Sequence, residues 1–224
     1  MTLLLQFQVT QNFASVAPDC PNLVRQAFSA ALSSWPDAET LHQYFNTCEN
    51  ASSPLVSINN IEGIAYQKLE GWGEFFYPFS HSNSTTIGPA CQRMAAASLR
   101  ENNENRTLQW YGANLPAGAA VLQALLTRPD GTLPPQKPRC LNITEFDEQG
   151  RGGGAKSWDY LACTEIVHPI GSNNVTDMFP PYNWSISGTS LQCQGHWGGD
   201  NWGVTPRPTW IPTEFGLSDL DRFG

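Results

Sequence analysis

The chain has 224 residues, of which 40% are hydrophobic and 11% aromatic, and its formal net charge is −8. That content can bury the core of one domain, or of one domain and part of another, which excludes a disordered tail. The acidic balance excludes a nucleic-acid surface, because phosphate backbones are bound by clustered Lys and Arg.

The first third of the chain has the apolar spacing of helices. After Pro21, apolar residues recur at steps of three and four, which places them on one helix face. They are Leu23, Val24, Phe28, Ala31, Leu32 and Trp35. Pro36 ends this helix, and Asp37 is predicted to cap the next one. The second stripe is Leu41, Tyr44, Phe45 and Cys48.

Residues 71–89 are rich in Gly, Pro and aromatic side chains and are predicted to form a loop. Helical spacing then returns twice, and Pro129 ends the second of these helices. The two stripes are Cys91, Met94, Ala95 and Leu99, and Val121, Leu122, Leu125 and Leu126. An antiparallel helical bundle is the predicted product.

The last part of the chain has weaker patterns. Residues 128–157 are predicted to be a surface loop, because the glycines at 152–154 lack the preceding strand and the Lys-Ser/Thr of a phosphate-binding loop. Residues 158–224 are predicted to be irregular, with a short helix around Ser190 to Cys193.

Cysteines and glycosylation sequons together predict the secretory pathway. The six cysteines contain no CxxC pair, which favours disulfides over zinc, and no metal or other cofactor is expected. They are Cys20, Cys48, Cys91, Cys140, Cys163 and Cys193. The candidate glycosylation sites are Asn50, Asn83, Asn105, Asn142, Asn174 and Asn183.

The N-terminal sequence conflicts with a secreted protein, because it has no basic region and no cleavage site of a signal peptide. No apolar run is long enough to span a membrane. We therefore expect the chain to be a fragment of a longer secreted protein.

The catalytic chemistry of an α/β hydrolase is not visible in the sequence, because no Gly-x-Ser-x-Gly elbow occurs. His42 and His81 are predicted to be surface residues, and His196 with a nearby Asp does not make a metal site. His168 is either a buried, hydrogen-bonded histidine or a pocket-lining residue. Glu165 is expected to be paired or capping if it is buried.

Three stretches resemble one family of proteins. The first is Trp158-Asp-Tyr-Leu-Ala-Cys-Thr-Glu-Ile-Val167, continued by Ser172-Asn-Asn-Val-Thr-Asp-Met-Phe-Pro-Pro181. The second is Trp202-Gly-Val-Thr-Pro-Arg-Pro-Thr-Trp210, followed by Thr213-Glu-Phe-Gly216. The third is Asp19-Cys-Pro21 with Ser34-Trp35, followed by Tyr77-Pro78. In order and content they resemble the serine peptidases that include Pro-X carboxypeptidase, dipeptidyl peptidase II and thymus-specific serine protease.

The resemblance implies a mainly α fold, the helical cap inserted in an α/β hydrolase, with an irregular C-terminal segment that returns toward the hydrolase core. It implies a cap over residues 1–157 and a disulfide-bonded return segment over 158–224. It also implies that the catalytic Ser, Asp and His lie outside this chain, so that no catalytic residue is expected within it.

Individual positions also follow from the resemblance. It implies the disulfides Cys20–Cys91, Cys48–Cys140 and Cys163–Cys193. In the carboxypeptidase-like members the position of His168 is typically methionine and lines the proline pocket. Histidine there departs from the pattern and would make substrate binding sensitive to pH in the acidic range.

Two functional hypotheses remain open. The first is a fragment of a proline-specific serine exopeptidase whose substrates are peptides with proline near one terminus; residues 172–180 resemble the dipeptidyl peptidase branch more closely. The second is a non-catalytic, disulfide-bonded secreted glycoprotein that binds a partner. Either would reside in the lysosome, a vacuole or the extracellular space, a homodimer is left open, and the chain alone is predicted to be inactive.

Overall fold

The computed structural model describes residues 4–75, 87–103, 109–110, 112–126, 140–143, 155–167, 170–197 and 206–207. Within these ranges the chain is mainly helical, as predicted. The elements are α1 (Leu4–Val16), α2 (Cys20–Ala31), α3 (Ala38–Phe45), α4 (Ile58–Phe75), α5 (Ile87–Asn103), β1 (Gln109–Trp110), β2 (Ala113–Asn114), α6 (Ala119–Leu126), α7 (Ala155–Thr164) and α8 (Ile186–Trp197).

The chain divides into two compact units. The larger unit contains residues 4–146 and 172–181, and the smaller unit contains residues 1–3, 147–171 and 182–224. Residues 172–181 thus belong to the larger unit, although their neighbours on both sides along the chain belong to the smaller one. The predicted division into residues 1–157 and 158–224 stays a prediction about the domains of a longer protein.

Helix α2 follows the predicted stripe over its first three turns. Pro21 lies in the first turn, where the missing amide hydrogen costs nothing, and Val24 and Phe28 are buried. The helix ends at Ala31, so the prediction that Leu32 continues the stripe is wrong, and this side chain is 62% exposed. Trp35 lies beyond the helix, and its indole N–H donates to the carbonyl of Ala30 at 3.0 Å.

Helix α3 begins as predicted. The Asp37 carboxylate accepts from the backbone N–H of Thr40 at 2.7 Å, which confirms Asp37 as the N-cap and lowers the pKa of this carboxyl. The helix ends at Phe45, and its C-cap residue, Asn46, adopts the left-handed conformation with φ 49°. Cys48 therefore lies outside the helix, and the predicted stripe ends at Phe45.

The predicted loop over residues 71–89 is wrong at both ends. Residues 71–75 complete α4, and residues 87–89 begin α5. The glycines of this segment predict a loop, but Gly73 has a packing role instead: a Cβ there would lie 2.5 Å from Cγ1 of Val9 on α1. Pro89 is tolerated because it occupies the first turn of α5. Within α5 the predicted stripe member Leu99 is 62% exposed.

Helix α6 is largely buried in the larger unit, because it packs against α2, α4 and α5. A helix surrounded on several sides needs apolar residues around most of its circumference, and its sequence AAVLQALL supplies them. The predicted stripe is fully confirmed: Val121, Leu122 and Leu125 are inaccessible, and Leu126 is 6% exposed. The antiparallel hairpin formed by β1 and β2 precedes this helix.

The smaller unit is more helical than the sequence predicted. Residues 158–164, predicted to be irregular, form most of α7, and the short helix expected around Ser190 to Cys193 is the twelve-residue α8. The Cys163–Cys193 disulfide joins the two helices, and the rings of Tyr160 and Trp197 meet edge to face at 5.3 Å. The local sequence was too rich in polar residues for a helical stripe to stand out.

The larger unit contains the other two disulfides. Cys20–Cys91 joins the first turn of α2 to α5, and Cys48–Cys140 joins the segment after α3 to residues 140–143. All three pairs are the ones that the family resemblance implies. In the ranges that the structure describes, no helix combines the length and the apolar content that crossing a bilayer requires.

Candidate functional site

Of the two pocket candidates from the sequence, the structure describes Glu165 but not His168. His168 lies outside the described residues, as does His81, and the side chain of His196 is likewise not described. Glu165 follows directly after α7. His42, predicted to be a surface residue, is half-buried, and its Nδ1 lies 2.8 Å from the hydroxyl of Thr47. That contact gives His42 a role in the turn after α3.

Glu165 is paired with an arginine from the second of the three recognised stretches. Its Oε1 lies 2.9 Å from Nη2 of Arg207, and the backbone N–H of Arg207 donates to the carbonyl of Thr164 at 3.0 Å. The two side chains are 39% and 50% exposed, so the ion pair is worth about 0 to 1 kcal/mol. Its main effect is positional, because it fixes residues 206–207 at the carboxyl end of α7.

The stretch Ser172–Pro181 is a locked loop built around Asp177. This carboxylate is completely buried, and it accepts three backbone N–H groups. The donors are Asn173 at 2.9 Å, Phe179 at 3.0 Å and Asn174 at 3.3 Å. A buried carboxylate is stable only when such donors replace water, so the Asp177 cage fixes the path of the whole loop. Here the Asp177 cage means Asp177 with these three N–H donors.

The loop is also inserted into the helical core. Met178 and Phe179 are inaccessible to solvent, and the Phe179 ring lies 4.8 Å from the ring of Tyr66 and 6.1 Å from that of Phe28. The backbone N–H of Met178 donates to the hydroxyl of Thr10 on α1 at 3.0 Å. Burying two such side chains contributes about 3 to 6 kcal/mol by area. The loop is therefore a part of the core and is not a surface connection.

Arg25 on α2 also holds this loop, through a hydrogen bond to its backbone. Nη2 of Arg25 donates to the backbone carbonyl of Asp177 at 2.8 Å, and Nη1 of Arg25 is oriented by the side-chain oxygen of Asn22 at 2.9 Å. Asp177 thus has its carboxylate satisfied by the loop itself and its carbonyl satisfied by α2.

A polar cluster lies between α1 and α4. The side-chain amide of Gln6 donates to the hydroxyl of Tyr66 and, at 2.7 Å, to the carboxylate of Glu70. Burial, followed by the charge of Glu70 and more weakly that of Asp177, raises the pKa of Tyr66 well above its usual range. The Tyr66 phenol therefore stays neutral at any physiological pH, and it links α4 to the ring of Phe179.

Within the described ranges, no three His, Cys, Asp or Glu side chains gather closely enough to hold a metal ion. The arrangement that is present has a structural role instead. It holds Ser172–Pro181 rigid against three helices.

The sequence is similar to lysosomal peptidases. It is 42% identical over 216 residues to the lysosomal Pro-X carboxypeptidase of Pongo abelii, and 42% identical over 215 residues to that of Bos taurus. Each match covers 95% of this chain and 39% of the relative. The chain belongs to the Pro-X carboxypeptidase family.

The match to the Homo sapiens lysosomal Pro-X carboxypeptidase is 42% identical over 82 residues, which is 37% of this chain. No family model matches the chain. The chain spans about two fifths of the length of the curated Pro-X carboxypeptidases that it matches over most of its own length.

The structure of this Pro-X carboxypeptidase family chain brings some of the recognised stretches together. Glu165 and Arg207 join the first stretch to the second within the smaller unit. Ser172–Pro181, although continuous with the first stretch in sequence, packs in the larger unit with α2, which begins at Cys20 of the third stretch.

Sequence reasoning missed the residues that hold the loop of this family member. Asp177 had a detectable signal, because Asn-Asn-x-x-Asp is a pattern in which short polar side chains bond to nearby backbone amides. Arg25 and Thr10 gave no signal. They lie 152 and 168 residues from their partners, and such separations leave no local pattern.

Proposed function

We propose that the chain is the helical cap of a proline-specific serine exopeptidase of the Pro-X carboxypeptidase type, and that it shapes and restricts the substrate cleft. The observation that carries this proposal is the 42% identity to lysosomal Pro-X carboxypeptidases over 95% of the chain. The mainly helical structure supports the assignment to a cap. The nucleophile, base and acid would be supplied by other parts of the longer protein.

The architecture suits a cap that excludes all but chain ends. Restricting a cleft requires a wall that does not yield to the substrate, and rigid elements position a site better than free loops do. Two disulfides, the largely buried helix α6 and the Asp177 cage give the larger unit that rigidity. The substrates would be peptides with proline next to the scissile bond, and His168 and Glu165 remain candidate pocket residues.

The proposed location is the secretory pathway and the lysosome. Three disulfides are typical of a protein in an oxidising compartment, and the relatives are named as lysosomal enzymes. The formal net charge of −8 argues against nucleic acid as a partner.

The test uses the longest protein that contains these residues, with two pairs of peptides. The first pair is an acyl-Pro-Phe peptide with a free carboxylate and the same peptide as its carboxamide. The second pair is a Gly-Pro reporter amide with a free amine and its N-acetyl form. A carboxypeptidase cleaves only acyl-Pro-Phe with its free carboxylate, because the free terminus is the recognised group.

The other outcomes each point elsewhere. Cleavage of only the Gly-Pro reporter with a free amine would make the protein a dipeptidyl peptidase, the branch that residues 172–180 resemble. If none of the four peptides is cleaved, the result would favour the non-catalytic binding module. The 224-residue chain alone is expected to hydrolyse none of them between pH 4 and 8.

A further inference from the structure

The three disulfides differ in how far solvent reaches them. Two of the bonds join cysteines that are all buried: Cys20 is 1% exposed, Cys91 3%, Cys163 4% and Cys193 2%. In the third bond, Cys48 is exposed and Cys140 is half-buried. A dissolved thiol can therefore approach the Cys48–Cys140 bond in the folded protein, whereas the other two bonds are covered.

The local backbone explains why Cys48 is exposed. Helix α3 has ended at Phe45, and the next residues form a short extended segment in which Thr47 pairs with Leu141. Consecutive residues of an extended segment face opposite sides. Thr47 is 3% exposed and its hydroxyl donates to the carbonyl of Glu49 at 2.8 Å. The backbone that buries Thr47 therefore exposes Cys48.

Contacts that involve neither sulfur hold the two strands of this segment together. The N–H of Leu141 donates to the carbonyl of Asn46 at 2.7 Å, and the N–H of Cys48 donates to the carbonyl of Leu141 at 2.8 Å. The N–H of Ile143 donates to the Glu49 carboxylate at 3.2 Å, and the Ile143 side chain is 5% exposed. These contacts would keep the two cysteines adjacent after their bond is broken.

We propose that Cys48–Cys140 is a site of reversible thiol–disulfide exchange with small thiols such as glutathione or cysteine, and that the other two disulfides do not exchange in the folded protein. The thiolate of the small thiol bonds to Sγ of Cys48, the S–S bond breaks, and Sγ of Cys140 leaves as a thiolate that takes up a proton. A second small thiolate bonds to the sulfur of the first and releases Cys48 as a thiol. Two small thiols are thus oxidised to their disulfide, and the cystine gains two electrons and two protons.

The exchange changes the stability of the larger unit. The Cys48–Cys140 bond spans a separation of 92 residues, the longest of the three. A bond that closes a long loop stabilises the fold mainly by restricting the unfolded chain. Reduction therefore lowers the resistance to unfolding while the folded contacts around the two cysteines stay in place.

Helix α8 offers a competing route to reduction. Within the described part of α8, Cys193 is the only residue that is fully buried. A helix with so few buried side chains can open locally, and its opening would expose the Cys163–Cys193 bond. The order in which the cysteines react separates this route from direct attack on Cys48.

The test incubates the longest protein that contains these residues, without denaturant, in graded mixtures of reduced and oxidised glutathione. Free thiols are blocked with light N-ethylmaleimide, the remaining disulfides are reduced and blocked with the heavy reagent, and each cysteine is quantified by mass spectrometry. Cys48 and Cys140 should take the light label more than about tenfold faster than the other four, because those must wait for the fold to open. The circular dichroism spectrum should stay unchanged, and excess oxidised glutathione should restore the heavy label.

Variants test the two parts of the proposal. Cys48→Ala combined with Cys140→Ala should abolish the fast labelling and should lower the urea midpoint by as much as reduction lowers it in the unchanged protein. Ile143→Ala should slow the return of the Cys48–Cys140 bond, because it loosens the segment that holds Cys140 in place. Val175→Ala, an exposed position in another loop, should leave that rate unchanged.

Two results would overturn the proposal. One is light label that enters all six cysteines at the same rate as the circular dichroism signal is lost, because reduction would then follow unfolding. The other is label that enters Cys163 and Cys193 first, because the opening of α8 would then control the exchange. None of these measurements uses peptide cleavage, so the outcome is independent of the proposed peptidase function.

Discussion

Replacing Asp177 with asparagine tests whether the charged cage holds the loop. Oδ1 of Asp177 accepts from Asn174 and Phe179, and Oδ2 accepts from Asn173. An asparagine has the same shape but only one oxygen. Its NH₂ group must face at least one backbone N–H, because the buried pocket offers these donors on both sides.

The expected cost follows from those three bonds. Leaving one donor opposed and unsatisfied costs about 1 to 3 kcal/mol, and the two remaining bonds lose their charge-assisted component. The free energy of unfolding should therefore fall by about 2 to 4 kcal/mol in Asp177→Asn, and by more in Asp177→Ala, which leaves all three donors unpaired.

The assay is urea unfolding followed by circular dichroism, with hydrogen exchange at the Met178 and Phe179 amides as the local readout. Val175→Ala is the matched control, because it changes an exposed side chain of the same loop and should shift stability by less than about 0.5 kcal/mol. If Asp177→Asn unfolds at the same urea concentration as the control, and the two amides keep their protection, the cage does not hold the loop.

Three further changes test the helical unit. Gly73→Ala should lower stability by about 1 to 3 kcal/mol in thermal unfolding, because the new methyl group meets Val9. The control Gly63→Ala should be neutral or stabilising, because nothing lies within 4 Å of the new methyl group. Equal effects of the two substitutions would refute close packing at Gly73. Removing both Cys20 and Cys91 should cost about 4 kcal/mol in urea unfolding, since their disulfide closes a separation of 71 residues, and a loss below about 1 kcal/mol would contradict this. Burial raises the pKa of Glu101 above its ordinary value of 4.5. The contribution of this carboxyl to stability is therefore full at lower pH and is lost as the pH rises through the raised pKa. Glu101→Gln should flatten the dependence of the unfolding free energy on pH between pH 4 and 7, and an unchanged dependence would refute this prediction.

The helices that the sequence predicted best are those whose burial is determined locally. The stripe of α6 was complete because this helix is covered on several sides and tolerates few polar residues. The cap at Asp37 was predictable because its partner, Thr40, is three residues away. At Gly73 the same reasoning failed, because glycine at a close crossing of two helices has the same composition signal as glycine in a loop.

The candidate site likewise combines contacts that the local sequence predicts with contacts that it does not. The Asn-Asn-x-x-Asp pattern contains most of the information that closes the Asp177 cage, since its donors lie within four residues. The contacts that insert this loop into the core come from Arg25 and Thr10, and only the folded chain brings them near. The ion pair of Glu165 with Arg207 spans 42 residues and was equally invisible to local patterns.

The insertion of Met178 and Phe179 among helices from the start of the chain also determines when the larger unit can be completed during synthesis. Thr10 emerges from the ribosome 168 residues before the amide that it binds. Until residue 181 has been made, α1, α2 and α4 hold an open apolar slot where the Phe179 ring belongs. Such a nascent chain exposes apolar surface for many seconds at ordinary rates of synthesis. We therefore expect it to depend on chaperones until that segment arrives.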